Sequence, residues 1–248
     1  MDLFYKFVLH LTHFFGVVFI KIGIIYLRFK NLLNRKLGLG KVKAKYSKKF
    51  LTKLPSHIGV VVTEETISYH DLSKIIIWCL TFDIPYLSIY DPDGKIKEQK
   101  ERLYRQTIEL KEEILQKESV KYKIVFHNIK KENESRKNGF SMHDICRKVE
   151  VILLCRENGK SDIVDAVRRY SVEKESKLKF CNYLKGNADF PDPDLILQYG
   201  PCRSVMGYLP WHIRLTEMTF SRTHHQIDLS DFFNSLVRYN KCEQRFGK

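Results

Sequence analysis

A set of short apolar runs, separated by helical patterns, constrains this chain more than any other feature. His57-Ile58-Gly59-Val60-Val61-Val62, Pro85 to Tyr90, Tyr122 to Phe126, Val149 to Cys155 and Leu195 to Gln198 are each about one strand long. They run apolar rather than alternating, so both faces of each strand must be covered, as in a parallel sheet. The intervening segments read as helices. Ser68 is placed to cap one that runs to Phe82, with Leu72, Ile75, Ile76, Cys79 and Leu80 on one face. Residues 96–118, Ser161 to Tyr170 and Lys174 to Tyr183 read as further helices, and Ser230 is expected to cap a last one through Tyr239. Residues 212–219 predict a sixth strand. The fold class is therefore α/β, a central parallel sheet of about six strands flanked by helices. Ligands of such folds bind at the carboxyl ends of the strands.

The 248 residues suffice for one large core, and 44% hydrophobic with 29% charged residues exclude disorder and a polytopic membrane protein. The net charge of +14 is unevenly placed. Residues 1–53 carry 12 Lys/Arg against one Asp, whereas residues 54–248 carry 31 against 28 Asp/Glu. From Phe7 to Ile20 no residue carries a formal charge, and after Lys21 the apolar run resumes to Leu27. As a helix, 7–27 would span about 31 Å, one hydrocarbon core. Lys6, His10, His13, Lys21, Arg28 and Asn31 share an arc of about 80°, which also fits a helix lying in the interface plane. Ten cations from Arg28 to Lys53 follow with no acid among them. Beside an apolar helix they read as positive-inside, attracted to anionic lipid, and aromatic interleaving for nucleic acid is minimal. The expected domains are a membrane-anchoring helix at 1–30, a basic linker at 31–54 and a globular domain at 55–248 on the cytosolic side.

Six scattered cysteines (Cys79, Cys146, Cys155, Cys181, Cys202, Cys242) show no zinc spacing and read as reduced packing residues. His224-His225 with Asp228 would suit a metal, but adjacent histidines in a Ser/Thr-rich loop are expected to be solvated.

The order H-I-G-V-V-V, D-P-D-L-I-L, G-Y-L-P-W-H-I-R-L-T-E and C-E-Q-R-F-G-K resembles the cis-prenyltransferase (undecaprenyl diphosphate synthase) family over about residues 55–248. Within it the chain is most similar to the Nogo-B receptor type of non-catalytic subunit in dehydrodolichyl diphosphate synthase complexes. The resemblance implies a heteromeric synthase that condenses isopentenyl diphosphate onto an allylic diphosphate for dolichol synthesis and protein glycosylation. It also implies residence at the endoplasmic reticulum membrane.

Active members carry a D-G-N-R-R-like turn after the first strand, which helps place metal and diphosphate. Here that turn is Thr63-Glu64-Glu65-Thr66, whose two carboxylates repel a diphosphate. In the later pattern P-D-L-x-I-R-T-x-G-E-x-R-x-S-N, Pro193, Asp194 and Leu195 remain as scaffold. Gln198, Cys202 and Ser204 replace the Arg, Glu and Arg, with Arg203 one place away. Trp211 and Glu217 match W-Q-x-x-Y-x-E, and Glu217, without its opposing Asp, reads as structural.

Arg245-Phe246-Gly247 reproduces the family's terminal R-x-G. A guanidinium grips phosphate bidentately, and a glycine lets backbone N–H groups approach the same oxygens. On a chain with a disabled pocket, Arg245 and Gly247 are expected to bind isopentenyl diphosphate in trans at a catalytic partner, which binds the Mg²⁺. The interface is expected to use Tyr208-Leu209-Pro210-Trp211 and Phe232-Phe233, residues that ordinary core packing would explain equally well. The alternatives are a stand-alone enzyme with a divergent pocket and a membrane receptor or adaptor that uses the fold only for binding.

Overall fold

The structure, a computed structural model, describes residues 5, 12, 51–115, 122–127, 147–172, 180–184 and 190–243. The chain divides into two compact units, 1–47 and 48–248. The expected membrane segment at 7–27 apart from Thr12, most of the basic linker, Cys146, Arg245 and Gly247 lie outside the described residues. Among those that are described, no helix is long and apolar enough to cross a membrane.

In the second unit β1 (His57–Val62), β2 (Tyr86–Tyr90), β3 (Tyr122–Phe126), β4 (Arg147–Leu154), β5 (Leu195–Tyr199) and β6 (Glu217–Ser221) form one sheet. Its order is β3-β4-β2-β1-β5-β6, and each neighbouring pair is parallel. The first five strands lie where the apolar runs place them. The sixth starts at Glu217, later than expected, because Leu209 to His212 closes a turn and Asp192 holds His212 and Arg214 beside the sheet.

The helices are α1 (Tyr69–Thr81), α2 (Lys95–Glu98), α3 (Lys100–Leu115), α4 (Lys160–Val172) and α5 (Leu229–Lys241). Ser68 caps α1 as its position predicts, accepting the Asp71 N–H at 3.4 Å. The segment read as one helix from 96 is divided: Asp91 accepts the N–H groups of Lys95 and Ile96 at 2.7 and 3.2 Å, and helix restarts at Lys100 after one turn. The last helix is capped at Asp228 rather than Ser230, and of Lys174 to Tyr183 the described part is a 3-10 turn at Phe180–Tyr183. Ser73 meets Thr107 at 3.0 Å between α1 and α3, while Trp78 and Phe82 meet Phe232 and Phe233 of α5. Cys79 and Cys155 are buried as packing thiols, whereas Cys181 and Cys202 are exposed.

Strand alternation puts Val61, Tyr90, Ile152, Leu154 and Ile196 on one face. Phe190, Tyr208 and Leu209 cover it from an irregular segment rather than a helix. Gly59 faces the same way, and a Cβ there would sit 2.4 Å from the Tyr208 hydroxyl. The glycine within the apolar run is thus where the ring lies.

Beneath the ring runs a buried polar chain. The Pro191 carbonyl can only accept, so His57 Nδ1–H donates to it at 2.6 Å. His57 Nε2 then accepts from Ser88 Oγ at 2.7 Å, and Ser88 Oγ accepts from the Tyr208 hydroxyl at 2.6 Å. Each member is satisfied with His57 neutral.

Burial pushes the His57 pKa down to about 4, against the opposing pull of the Pro191 carbonyl. Above pH ~6.5 the ring is neutral in folded and unfolded chains alike. As pH falls from there toward 4, the unfolded chain takes a proton that the folded chain refuses. Stability should therefore drop by up to about 3 kcal/mol from this residue. Buried His224, lowered by desolvation against the opposing pull of Glu64, acts in the same direction. Urea unfolding of residues 48–248 at pH 7.0 and 5.0 measures the slope. His57→Gln should remove about one proton's worth of it, and an unchanged slope would reassign the effect.

Candidate functional site

From β1 the chain turns to β2 on one side of the sheet and later returns to β5 on the other, so the topological switch point lies between β1 and β5. In this architecture the ligand crevice opens there, at the carboxyl ends. At that end the chain's own residues bond closely to one another. Thr63 donates both its N–H (2.9 Å) and its hydroxyl (3.1 Å) to the Tyr199 carbonyl, continuing the β1–β5 ladder past the strand end. Gly200, at φ +128, packs so close that a Cβ would lie 2.1 Å from Thr63 Oγ1. The Gln198 carboxamide draws in the following loop by donating to the Cys202 carbonyl at 3.0 Å.

Next to Thr63, Glu64 accepts the His224 N–H at 2.8 Å and pairs with His224 Nδ1. His224 is fully buried, and its Nε2 accepts the Ser68 N–H at 2.8 Å. His225 Nε2 lies 3.1 Å from the Thr66 carbonyl, and the Gln226 N–H meets Asp71 Oδ2 at 2.9 Å. The expectation of solvated histidines is thereby corrected. The loop after β6 folds back onto the first turn, and its imidazole satisfies a carboxylate and the backbone at the start of α1 together. Burial raises the Glu64 carboxyl, but hydrogen bonds from Thr223 and His224 outweigh it and hold the group below the usual carboxylate range.

Three ligand-type groups, Glu64, His224 and His225, lie within 4.8 Å of one another, so a metal must be tested. Because Nε2 accepts from Ser68, Nδ1 carries the proton and donates it to Glu64. Neither nitrogen keeps a lone pair for a cation. The residues present do not fit a divalent ion. A diphosphate fares no better, since the start of α1 already faces the Glu64 and Asp71 carboxylates.

The other expected site residues are dispersed. Arg203 stacks over the Phe220 ring at 4.6 Å, and Ser204 Oγ accepts the Met206 N–H at 3.3 Å. Asp194 is scaffold as expected: Oδ2 takes Ser56 N–H, Ser56 Oγ and His57 N–H, fastening the start of β1 beside that of β5. Glu217 opens β6 at the amino end of the sheet, where its Oε2 accepts the Cys242 thiol at 3.2 Å. A strand length of about 20 Å separates that end from the Thr63–Thr66 turn, so the two cannot share an ion within one chain. Tyr208, Leu209 and Phe232 are core, whereas Trp211, Leu215 and Met218 are exposed.

The family described as "Putative undecaprenyl diphosphate synthase" matches residues 64–247. The chain belongs to this cis-prenyltransferase family. Among its prenyltransferase relatives, the dehydrodolichyl diphosphate synthase complex subunits Nus1 of Mus musculus and NUS1 of Homo sapiens are each 36% identical, over 80% of this chain and 67% and 68% of theirs. The Saccharomyces cerevisiae subunit NUS1 is 26% identical over 80% of this chain and 60% of its own. The fold is shared with a probable undecaprenyl diphosphate synthase from Campylobacter jejuni (TM-score 0.50, 21% identity, 80% of this chain and 100% of that one). Lavandulyl diphosphate synthase from Lavandula x intermedia, solved with dimethylallyl diphosphate, shares it too (TM-score 0.52, 17% identity, 79% and 99%).

In this cis-prenyltransferase homologue α5 leads away from the crevice. It follows Gln226, which is bonded at the first turn of α1, and ends with Asn240 and Cys242 bonded to Thr52, Lys53 and Glu217 at the amino end of the sheet. Arg245 comes three residues after Cys242, so a fully extended chain carries it about 10 Å. The side chain extends the reach further, toward the strand length of about 20 Å that separates this end of the sheet from the crevice. The contacts of Glu64 with His224 escaped sequence reasoning because the partners are 160 residues apart. The signal within reach was the carboxylate pair in the turn, which demands hydrogen-bond donors from somewhere.

Proposed function

We propose that the chain is the non-catalytic, activating subunit of a heteromeric cis-prenyltransferase. The complex condenses isopentenyl diphosphate onto an allylic diphosphate, making the long polyprenyl diphosphate from which dolichol for protein glycosylation derives. One observation carries the reading: at the β1–β5 switch point Thr63 is bonded to Tyr199 and Glu64 to His224, while α5 ends, and the chain leaves, at the opposite end of the sheet. A subunit built so has little use for its own pocket, and its tail departs on the side away from it.

In trans, Arg245 would grip the diphosphate of isopentenyl diphosphate and Gly247 would present backbone N–H groups to the same oxygens. The Mg²⁺ would belong to the catalytic partner. The exposed Trp211, Leu215 and Met218 around the edge strand β6 suit the partner's docking face. The apolar segment 7–27 and the basic linker would hold the complex on the cytosolic face of the endoplasmic reticulum membrane, where an isoprenoid product enters lipid. Purified alone, the chain should give no product from allylic diphosphate, labelled isopentenyl diphosphate and Mg²⁺, and should raise turnover when co-purified with a catalytic cis-prenyltransferase subunit. Turnover by the isolated chain would overturn the reading.

A further inference from the structure

The last turn of α5 is held where the chain enters the domain. Asn240 Oδ1 accepts the Lys53 N–H at 2.7 Å and the Thr52 hydroxyl at 3.0 Å. Lys53 Nζ lies over the Tyr239 ring, 4.6 Å from its centroid, and donates to the Cys242 carbonyl at 3.5 Å. A cation there suits the helix C-terminus, where carbonyls lack partners within the helix. On the other side the Cys242 thiol donates to Glu217 of β6. Cys242 itself is extended, at φ −78 and ψ 121, so the chain leaves the helix straight instead of coiling back. Helix ends ordinarily fray. This one is gripped from the linker, from its own ring and from the sheet, immediately before the residues that the trans reading requires to be aimed.

We propose that Asn240 is a positioning residue for the complex: with Lys53 and Cys242 it forms a clasp that sets the exit direction of the C-terminal tail and ties that exit to residues 52–53. The proposal rests on the trans-acting tail argued above. Its physical content is preorganisation. A guanidinium launched from a fixed point needs less ordering to reach a diphosphate than one on a frayed end, and a misplacement of about 1 Å can cost as much as 100-fold. Since both bonds to Asn240 end on one acceptor oxygen, aspartate preserves them and alanine removes them.

The test uses the full-length chain co-purified with a catalytic cis-prenyltransferase subunit, and follows KM for isopentenyl diphosphate and kcat separately. Asn240→Ala should raise KM about three- to tenfold with the complex still assembled, and Asn240→Asp should restore the parent value. In an Arg245→Ala background, Asn240→Ala should add nothing. Thr52→Ala, which removes one of the two donors, gives the smaller change in the same direction and stands in if Asn240→Ala does not fold. An unchanged KM, an equal loss in the Arg245→Ala background, or no rescue by aspartate overturns the clasp. Loss with Arg245→Ala but none with Asn240→Ala removes the clasp alone, whereas no effect of Arg245→Ala removes the trans-acting tail and the clasp with it.

Discussion

In the assembled complex Arg245→Ala is expected to slow isopentenyl diphosphate condensation by about 30- to 1000-fold, equivalent to about 2–4 kcal/mol of transition-state stabilisation. The size follows from what the side chain would do. A guanidinium makes two parallel, charge-assisted bonds to a phosphate, in a site from which water is excluded. Loss of both leaves a diphosphate oxygen facing a void while negative charge redistributes in the reaction. Arg245→Lys should fall between, since an ammonium supplies charge without the fork. Steady-state rates of the co-purified complex, with gel filtration to confirm that it remains assembled, measure the effect. A rate equal to the parent's would remove any catalytic part for the tail and favour the receptor or adaptor reading.

Gly59→Ala should cost about 4 kcal/mol of folding stability, combining overpacking with a broken buried hydrogen-bond chain. The new methyl would lie 2.4 Å from the Tyr208 hydroxyl and 2.7 Å from its Cζ, inside the closest approach of real atoms. Tyr208 is fully buried against Tyr90, so the ring cannot slide along the sheet. If it swings out, Ser88 loses its donor and a core aromatic is exposed. Chemical denaturation followed by Trp fluorescence reads the loss. Paired with Tyr208→Phe, which removes only the hydroxyl, it separates the clash from the hydrogen bond. A cost below about 1 kcal/mol would mean that Tyr208 does not occupy the face of β1 as described.

The sheet was legible because burial on both faces leaves a near-continuous apolar signature in β1, β2, β4 and β5, which stand close to where the runs predicted, as does the edge strand β3. β6 escaped that logic. It is an edge strand with exposed Met218 and Ser221, so its apolar content is no higher than that of the irregular segment before it. The α2–α3 division was hidden in a continuous charged amphipathic pattern: Asp91 caps the start of α2, and no residue type at Gln99 marks the break. At the site the sequence told what is missing more readily than what replaces it. The exchange of an Asp-Gly-Asn turn for Thr63-Glu64-Glu65-Thr66 is local and visible. The imidazole that hydrogen-bonds it comes from the far end of the chain, and in sequence His224-His225 is indistinguishable from a wet loop. Burial decided between the two, and burial is a tertiary property.

The course of α5 has an evolutionary corollary. In a symmetric pair of synthases every copy would both receive an arm and extend one, and selection would guard the two abilities together. On the trans-acting reading proposed above, the two would start from opposite ends of the sheet, with α5 between them. After gene duplication one sister could therefore forfeit the receiving half by ordinary drift, even consolidate the abandoned hollow into extra stability, and keep the giving half intact. Division of labour between unequal siblings then needs no invention, only neglect confined to one pole.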